Sequence, residues 1–403
     1  MPSVNPNILQ WARETAGLTP EQAVERLQLR PTRGVSALER LEALESGVAH
    51  PSRALLVRMA KQYRRPLVTF YMSQRPRLGD RGQDFRTLPE GHSAAGDALL
   101  DALIRDVRAR QSLVRAALED EEEAMPLAFV GSRRMSDGVQ AVLSSLRDTL
   151  RVSLDEFRAQ TSPEAAFALL RGAAESAGVF VLLMGNLGSH HTTIDLQIFR
   201  GMVLADNIAP FVIINDQDSR AAWSFTLLHE LTHLLLGQTG VSGEGEELEI
   251  ERFCNAVASE FLLPTGELTR LWLVDSAGIE SMRERISSFA RERNLSASMV
   301  AYGLYRARSI DQSTWRNLNV AFHDLWLRQR TQRRERTRDQ EGGPNYYVVR
   351  GHRVGRALLT LVHRMMTAGA LTTSKASKIL GVKAKQVQAL FEATRPGGSR
   401  QLV

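Results

Sequence analysis

The sequence predicts a mostly helical α+β protein, in which a small core with a short β-sheet is flanked by helical domains. Apolar residues recur at helical spacing through the first 72 residues and again from residue 345 onward. Between residues 160 and 310, short runs rich in Val, Ile and Phe alternate with helical stretches, which is typical of an α+β core. The hydrophobic content of 43% and the charged content of 24% are ordinary for a soluble globular protein.

Breaks in periodicity and composition divide the 403 residues into five segments. We predict a helical domain at 1–74, a linker and long helical segment at 75–159, the α+β core at 160–310, a helix with a basic linker at 311–344, and a helical domain with a helix–turn–helix pattern at 345–403. Arg75–Gly91, which is rich in Pro, Gly and Arg, and Gly342-Gly343-Pro344 mark the linkers.

Capping residues delimit the predicted N-terminal helices. Thr19 caps the second helix, and the third runs from Ser36 to Glu45 and ends at Gly47, which suits a left-handed cap. Pro51-Ser52 then opens a fourth helix. The long helix beyond the first linker ends in Glu119–Glu123, at the wrong pole of the helix dipole. We expect this end to fray or to be neutralised by a basic neighbour.

The central segment alternates between strands and helices. We predict strands at Val179–Met184 and Phe211–Asn215 and, from its alternation, a third at Ile194–Phe199. The predicted helices are Ala165–Ala177, Trp223–Leu236, Leu248–Leu263 and Ile279–Arg293, with Gly237 and Pro264 closing two of them.

Composition restricts the kinds of site that the chain can contain. The single cysteine, Cys254, excludes an intramolecular disulfide and a multi-cysteine zinc finger, so a metal ion must be held mainly by His, Asp or Glu. The net charge of +6 permits nucleic-acid binding without requiring it. A basic run at residues 328–338 is also typical of a solvated helix end. Because no apolar run is long enough to cross a bilayer and no signal peptide is present, we expect a cytoplasmic protein without membrane contact.

The central motif is His229-Glu230-Leu231-Thr232-His233. Two histidines four positions apart on a helix lie about 40° apart around its axis and one turn apart along it, so both imidazoles can reach one ion. Glu230 then lies beside the open position of a catalytic zinc site and can accept a proton from water. The surrounding helix is apolar on most faces, and burying these ionisable side chains is costly unless a metal ion pairs with them.

A third metal ligand should come from a neighbouring helix, and the candidates are Glu244, Glu246, Glu247, Glu249, Glu251 and Glu260. We prefer Glu251, since Asn255 shares its helical face and could hold a histidine ring by its other nitrogen. Glu260 follows roughly 900° of helix later, on the opposite face. A solvated glutamate on an amphipathic helix remains the alternative for Glu251.

These motifs resemble those of the ImmA/IrrE metallopeptidase family. Trp223–Gly237 is similar to its zinc helix, and Ile250–Asn255, followed by Phe261–Pro264, is similar to its second motif. Arg200-Gly201 and Pro210–Asn215 match the β-segment that precedes the zinc helix. The resemblance covers roughly residues 160–310 and implies a zincin-like peptidase core.

The resemblance also implies roles for individual residues. It implies that His229, His233 and Glu251 bind Zn²⁺ and that Glu230 is the catalytic base. The family usually has a small residue in place of Thr232 and often Met in place of Leu263, and neither departure should affect the metal. Tyr302 and Tyr305 are candidate oxyanion stabilisers, although such aromatics more often belong to the core, and His190-His191 is either a surface pair or part of a loop near the site.

Residues 5–72 resemble the helix–turn–helix domain of XRE-type repressors, often fused to ImmA/IrrE peptidases or encoded beside them. The matching features are Asn5-Pro6, Trp11-Ala12-Arg13, Leu44-Glu45-x-Gly47, Pro51-Ser52 and Tyr63-Arg64-Arg65-Pro66. The helix at Ser36–Glu45 would enter the major groove, with Arg30, Arg33 and Arg40 as DNA contacts. Because this helix also carries three glutamates, a protein-interaction or dimerising module is the alternative, and formation of a homodimer stays open.

At the other end of the chain, Lys375, Lys378, Lys383 and Lys385 give a basic pair of helices. This pair could contact DNA or a partner protein, or it could be a plain packing domain.

Two functional hypotheses follow. The first is a zinc-dependent endopeptidase, and the resemblance implies that its protein substrate is a transcriptional repressor whose cleavage switches genes on in a stress or mobile-element response. The second is a DNA-binding transcription regulator whose zinc-type domain is a sensor without turnover.

Overall fold

The computed structural model describes residues 4–32, 34–76, 83–84, 94–242, 249–271, 278–338 and 345–394. The chain divides into two compact units. The first comprises residues 1–81, 88–106 and 186–198, and the second comprises residues 82–87, 107–185 and 199–403. Much of the predicted Arg75–Gly91 linker and the whole of Gly342–Pro344 lie outside the described residues.

Four helices and a 3₁₀ turn form the N-terminal part of the first unit. They are α1 (Pro6–Glu14), α2 (Pro20–Leu27), α3 (Ala37–Glu45), α4 (Arg53–Gln62) and the turn Leu67–Tyr71. The predicted caps are confirmed, since the Thr19 and Ser36 side chains accept hydrogen bonds from the backbone at the starts of α2 and α3. Gly47 follows α3 with φ +83°, as a left-handed cap requires. The buried side chains of Ile8, Leu27 and Leu56 hold the helices together.

The long helix α5 (Ala94–Asp120) contributes its residues up to Asp106 to the first unit and the rest to the second. Its acidic end is neutralised by basic neighbours, as predicted. Arg115 donates to Glu119 at 2.8 Å, and Glu123 pairs with Arg364. The hydrogen bond from Arg364 lowers the pKa of the Glu123 carboxyl.

The second unit contains the remaining helices. They are α6 (Val139–Leu150), α7 (Leu154–Arg158), α8 (Pro163–Ser176), α9 (Arg220–Leu235), α10 (Glu249–Leu262), α11 (Thr265–Leu271), α12 (Ile279–Glu292), α13 (Ala297–Arg306), α14 (Gln312–Arg338), α15 (Tyr346–Val354), α16 (Arg356–Thr367), α17 (Thr373–Leu380) and α18 (Val387–Thr394). None of the described helices is both long enough and apolar enough to span a bilayer.

A five-stranded sheet lies in the second unit, formed by β1 (Gln83–Asp84), β2 (Phe180–Leu183), β3 (Gly201–Leu204), β4 (Phe211–Ile214) and β5 (Gly240–Ser242). The strand order is β1-β5-β3-β4-β2. β2 runs parallel to β4, whereas β3 is antiparallel to both β4 and β5. Every residue of β2, β3 and β4 is buried, which explains their continuous apolar sequences. The mostly helical α+β fold with a small sheet is therefore confirmed.

The predicted strand at Ile194–Phe199 is wrong. Those residues form turns and irregular chain. Asp195 explains the difference, because its side chain accepts from the Gln197 amide at 2.9 Å and its carbonyl accepts from the Ile198 amide at 3.1 Å, which bends the chain. The strand begins instead at Gly201.

One hydrophobic core joins most of the second unit. It extends from Val142 of α6 and Phe157 of α7, through the sheet and α9, to Leu318 and Phe322 of α14. The predicted boundaries at residues 160 and 310 therefore fall inside a continuous core, because the amphipathic helices on either side bury their apolar faces in it.

A buried ion pair attaches the C-terminal helices to this core. Arg171 and Glu175 of α8 lie 3.2 Å apart, and each side chain is 8% exposed. Arg171 donates to the His352 carbonyl at 2.6 Å and also to the Val181 carbonyl, while Glu175 accepts from the Ala357 amide at 3.1 Å. α15 and the start of α16 are thereby fixed beside β2.

Candidate metal centre

Helix α9 is a core helix that nevertheless contains ionisable side chains. Every residue from Leu227 to Leu235 is buried, because the helix packs against α8, α10 and the sheet. His229 is 4% exposed, and Glu230 and His233 are fully buried. Thr232 satisfies its own hydroxyl by donating to the Leu228 carbonyl at 2.8 Å. His229, Glu230 and His233 are the ionisable groups whose burial requires compensation.

The two imidazoles of α9 converge on one carboxylate of α10. His229 Nε2 lies 3.1 Å from Glu251 Oε2, and His233 Nε2 lies 3.0 Å from Glu251 Oε1. The two Nε2 atoms are 3.1 Å apart. Glu251 is the third ligand that the sequence favours, and the structure brings all three predicted side chains together.

The chemistry of this donor set fits a zinc ion. Two imidazoles and one carboxylate form a His₂Glu set, which catalytic zinc sites use with a fourth position for water. Zinc–ligand bonds of about 2.0–2.1 Å in a tetrahedral site place neighbouring donors roughly 3.3 Å apart, close to the observed separations of 3.0–3.1 Å. Three lone-pair donors that face one another so closely need a cation or protons between them.

The surroundings of the donors favour their metal-binding forms. Burial opposes ionisation of Glu251, but hydrogen bonds from His229 and His233 outweigh it and lower the pKa of this carboxyl to about 2. Burial also lowers the pKa of His233, which keeps its imidazole neutral. For His229, burial is outweighed by Glu251, so the pKa of that imidazole is raised. A carboxylate and neutral imidazoles are the forms that bind zinc, and binding would displace any proton held on His229.

Two residues of α10 contact the imidazoles from outside the donor triad. The side chain of Asn255 favours the charged form of the His229 ring and contributes to the raised pKa of that imidazole. Cys254 Sγ lies 3.7 Å from His233 Nδ1, and burial raises the pKa of this thiol well above its usual range, so it stays protonated. A ring contact of Asn255 is predicted from the sequence. The contact of Cys254 is not, although its position three residues after Glu251 is an available signal.

The Glu230 carboxylate lies against the start of β3. A β-carbon on Gly201 would lie 2.4 Å from Glu230 Oε1 and 2.6 Å from Thr226 Cγ2. No other amino acid therefore fits at position 201 without displacing Glu230 or Thr226. In the sequence, the Arg200-Gly201 pair carries only its resemblance to the β-segment that precedes the zinc helix. Its contact with Glu230 is not predicted.

Comparison with protein families identifies the part of the chain that holds these donors. Residues 174–305 match the IrrE N-terminal-like domain, Peptidase_M78. The match extends from the end of α8 to α13 and includes His229, Glu230, His233 and Glu251. It supports the resemblance to the ImmA/IrrE peptidase family and a metallopeptidase-type function for this IrrE-like domain. No curated protein and no solved structure is similar enough to match.

Among the described residues, only His229, His233 and Glu251 form the donor cluster. Glu260 accepts from the Thr265 amide at 3.1 Å, Glu249 is exposed, and Glu244, Glu246 and Glu247 lie outside the described residues. Tyr302 and Tyr305, both half-buried, pack with Trp315 of α14, with the Tyr305 and Trp315 rings stacked at 5.0 Å. His191 is exposed in a 3₁₀ turn, and the side chain of His190 lies outside the described part.

A cavity of about 1210 Å³ opens at the N-terminal end of α9, lined in part by Asp216, Arg220, Trp326 and Arg353. An ion pair of 2.6 Å joins Arg353 to Asp216 there. His229 lies roughly 13 Å along the helix axis from Arg220. The donors His229, His233 and Glu251 do not line this cavity.

Of the three predicted DNA contacts in the first unit, Arg40 is engaged within the protein. Arg40 donates to the Arg30 carbonyl and, at 3.2 Å, to Thr32 Oγ1. Arg30 is exposed, and Arg33 lies outside the described residues. On the same helix as Arg40, Glu45 accepts from Arg13 at 2.7 Å.

Proposed function

We propose that the protein is a zinc-dependent endopeptidase in which His229, His233 and Glu251 hold the metal and Glu230 is the general base. The observation that carries this proposal is the convergence of three buried donor side chains, whose nearest nitrogen and oxygen atoms lie 3.0–3.1 Å apart. The buried carboxylate of Glu230 lies on the same helix as the two histidines. The match to the IrrE-like domain supports the reaction class.

The chain's own residues would divide the work of hydrolysis. Zinc, when bound, polarises a carbonyl group and lowers the pKa of water. Glu230 takes a proton from the attacking water at a carboxylate oxygen and returns it to the leaving amine nitrogen as the peptide bond breaks. Asn255 and Cys254, which interact with the His229 and His233 rings, would keep the imidazoles in place. Gly201 leaves the space in which the Glu230 carboxylate lies.

The substrate class comes from the resemblance alone. We propose a transcriptional repressor as the protein that is cleaved, so that proteolysis switches genes on in a stress or mobile-element response. The competing function, a DNA-binding regulator with a zinc-containing sensor domain, needs the same three donors but no turnover.

Comparison of the wild-type protein with Glu230→Gln tests the reaction. New protein N-termini would be identified in cells that express each form, and zinc would be measured in each purified protein. We expect equal zinc contents and loss of the wild-type cleavage products by at least about a hundredfold, the usual contribution of a general base. Glu260→Gln is the matched control, since that carboxylate instead accepts from Thr265. Equal cleavage by wild type and Glu230→Gln would exclude the mechanism, and zinc without any cleavage would favour the sensor.

A further inference from the structure

Lysine is concentrated in one short segment of this chain. The sequence contains 46 arginines and five lysines, and four of the lysines lie between positions 375 and 385. We call Lys375, Lys378, Lys383 and Lys385 the lysine patch. All four are exposed. No Asp or Glu occurs between Leu371 and Phe391, so this segment carries charges of one sign in a chain of nearly balanced charge.

The lysine patch surrounds a rigid helix–turn–helix. α17 ends at Gly381, which has φ +63°, and a 3₁₀ turn (Ala384–Gln386) leads into α18. The buried side chains of Ala376, Ile379, Leu380, Val387, Leu390 and Phe391 form its interior. Small helical units of this kind place the second helix in the major groove of DNA while the first helix crosses the backbone.

Arg350 fixes the turn between the helices, and Arg110 lies beside it. Arg350 of α15 donates to the Leu380 carbonyl at 2.7 Å and to the Gly381 carbonyl at 2.9 Å. A β-carbon on Gly381 would lie 2.1 Å from Arg350 Nη2 and 2.3 Å from Arg110 Nη2. The φ angle of +63° favours glycine at this turn, and any side chain there would have to displace the two guanidinium groups. The relative direction of α17 and α18 is set before any ligand is bound.

The lysines themselves are available to a ligand. Lys375 and Lys378 lie on α17 three positions apart, and Lys383 and Lys385 lie at the turn before α18. Within the described part of the chain, none of the four forms an ion pair. Gln388, the second residue of α18, is also exposed. Lys383 and Lys385 therefore precede an exposed amide side chain on the second helix. Such lysines suit contacts with DNA phosphates, and such an amide suits hydrogen bonds to base edges.

The candidate recognition helix of the first unit has the opposite electrostatic character. α3 carries Glu39, Glu42 and Glu45, and its only arginine, Arg40, donates to the Arg30 carbonyl. Phosphates would be repelled by that face. The charges therefore favour α17 and α18 over α3 as the surface that meets nucleic acid.

We infer that the lysine patch binds double-stranded DNA, with its four ammonium groups contacting phosphates and the start of α18 facing the major groove. This inference does not depend on the peptidase function.

Salt-dependent binding of the full chain tests it. The probe is a fluorescein-labelled duplex of about 30 base pairs and mixed sequence, titrated by fluorescence anisotropy between about 50 and 200 mM KCl. Four phosphate contacts predict that the logarithm of the association constant falls against the logarithm of salt concentration with a slope of about −3.6. Lys383→Ala/Lys385→Ala should reduce this slope by about 2 and weaken binding at the lowest salt by at least about tenfold.

Two further variants separate charge from folding. Lys61→Ala removes the fifth lysine, which is exposed on α4, and should bind like the wild type. Lys383→Arg/Lys385→Arg keeps the charge and should restore most of the affinity. Absence of binding at the lowest salt, or equal binding by the alanine variant and the wild type, would overturn the inference. Displacement of the duplex by an equal or lower concentration of single-stranded RNA of the same length would overturn it in favour of an RNA partner.

Discussion

Gly201 and Glu230 meet where β3 begins, and a β-carbon at Gly201 would lie 2.4 Å from the Oε1 atom of Glu230. The strand therefore contributes to the candidate metal centre through the absence of a side chain at Gly201. Gly201 contributes no side chain, yet the position of the proposed base depends on it.

We predict that Gly201→Ala lowers peptidase activity by about a hundredfold, because a displacement of about 1 Å in a catalytic group has an effect of that size. The zinc content should not change, since Gly201 is not among the donors. Cleavage rate and zinc content are the measurements. Gly172→Ala is the control, because a β-carbon there meets no atom within 4 Å. Full activity of Gly201→Ala would show that the Glu230 position is not critical.

Asn255→Ala should weaken zinc binding by about 10- to 100-fold, the usual effect of removing a residue that supports a ligating histidine from outside the metal. The reason is the interaction of the Asn255 side chain with the His229 ring. Competition with a chromogenic chelator measures the affinity. Arg252→Ala changes an exposed residue of the same helix and should leave it unchanged. Equal affinities in the two variants would contradict a role for Asn255 in orienting the ring.

Removal of zinc should destabilise the second unit. At a free zinc concentration about 1,000 times the dissociation constant, binding contributes about 4 kcal/mol to the free energy of unfolding. Thermal unfolding with and without a chelator measures the difference. In His233→Ala, which loses one of the three donors, the chelator should have little effect. If the wild-type protein unfolded at the same temperature with and without chelator, the proposed metal site would lose its main support.

Arg171→Ala should lower the free energy of unfolding by about 3 to 5 kcal/mol, because it leaves the carboxylate of Glu175 buried without its cation. Both side chains are only 8% exposed. Urea denaturation measures the change. The control is Arg220→Ala, whose pair with Glu164 is exposed by 51% and 41% and should contribute at most about 1 kcal/mol. Similar decreases in the free energy of unfolding of both variants would show that the buried pair does not stabilise the fold more than the exposed one.

Local patterns in the sequence predicted the helices and the donor set well. The spacing of His229 and His233 and the shared face of Glu251 and Asn255 depend only on helical periodicity, so they could be read from neighbouring residues. The strand at Gly201–Leu204 could not be predicted from neighbouring residues. Its position depends on pairing with other strands, in which Met202 lies opposite Ile213 and Val241.

The contacts that the sequence did not reveal are all long-range. Arg171 binds the carbonyl of His352, which lies 181 positions later. Gly201 of β3 lies against the carboxylate of Glu230 on α9. Neither relationship has a local signature, because a buried arginine and a strand glycine are each compatible with many environments.

The anchoring of α15 by Arg171 has a practical consequence for anyone who wishes to isolate the IrrE-like domain. The family match begins at residue 174, inside α8 and after Arg171, whereas the apolar interior starts at Val142. A recombinant fragment trimmed to 174–305 would lack Phe157, Phe167 and Leu318 and would expose the surfaces that they cover. We expect such a fragment to aggregate, and the shortest version worth expressing begins ahead of α6 and retains the C-terminal helices.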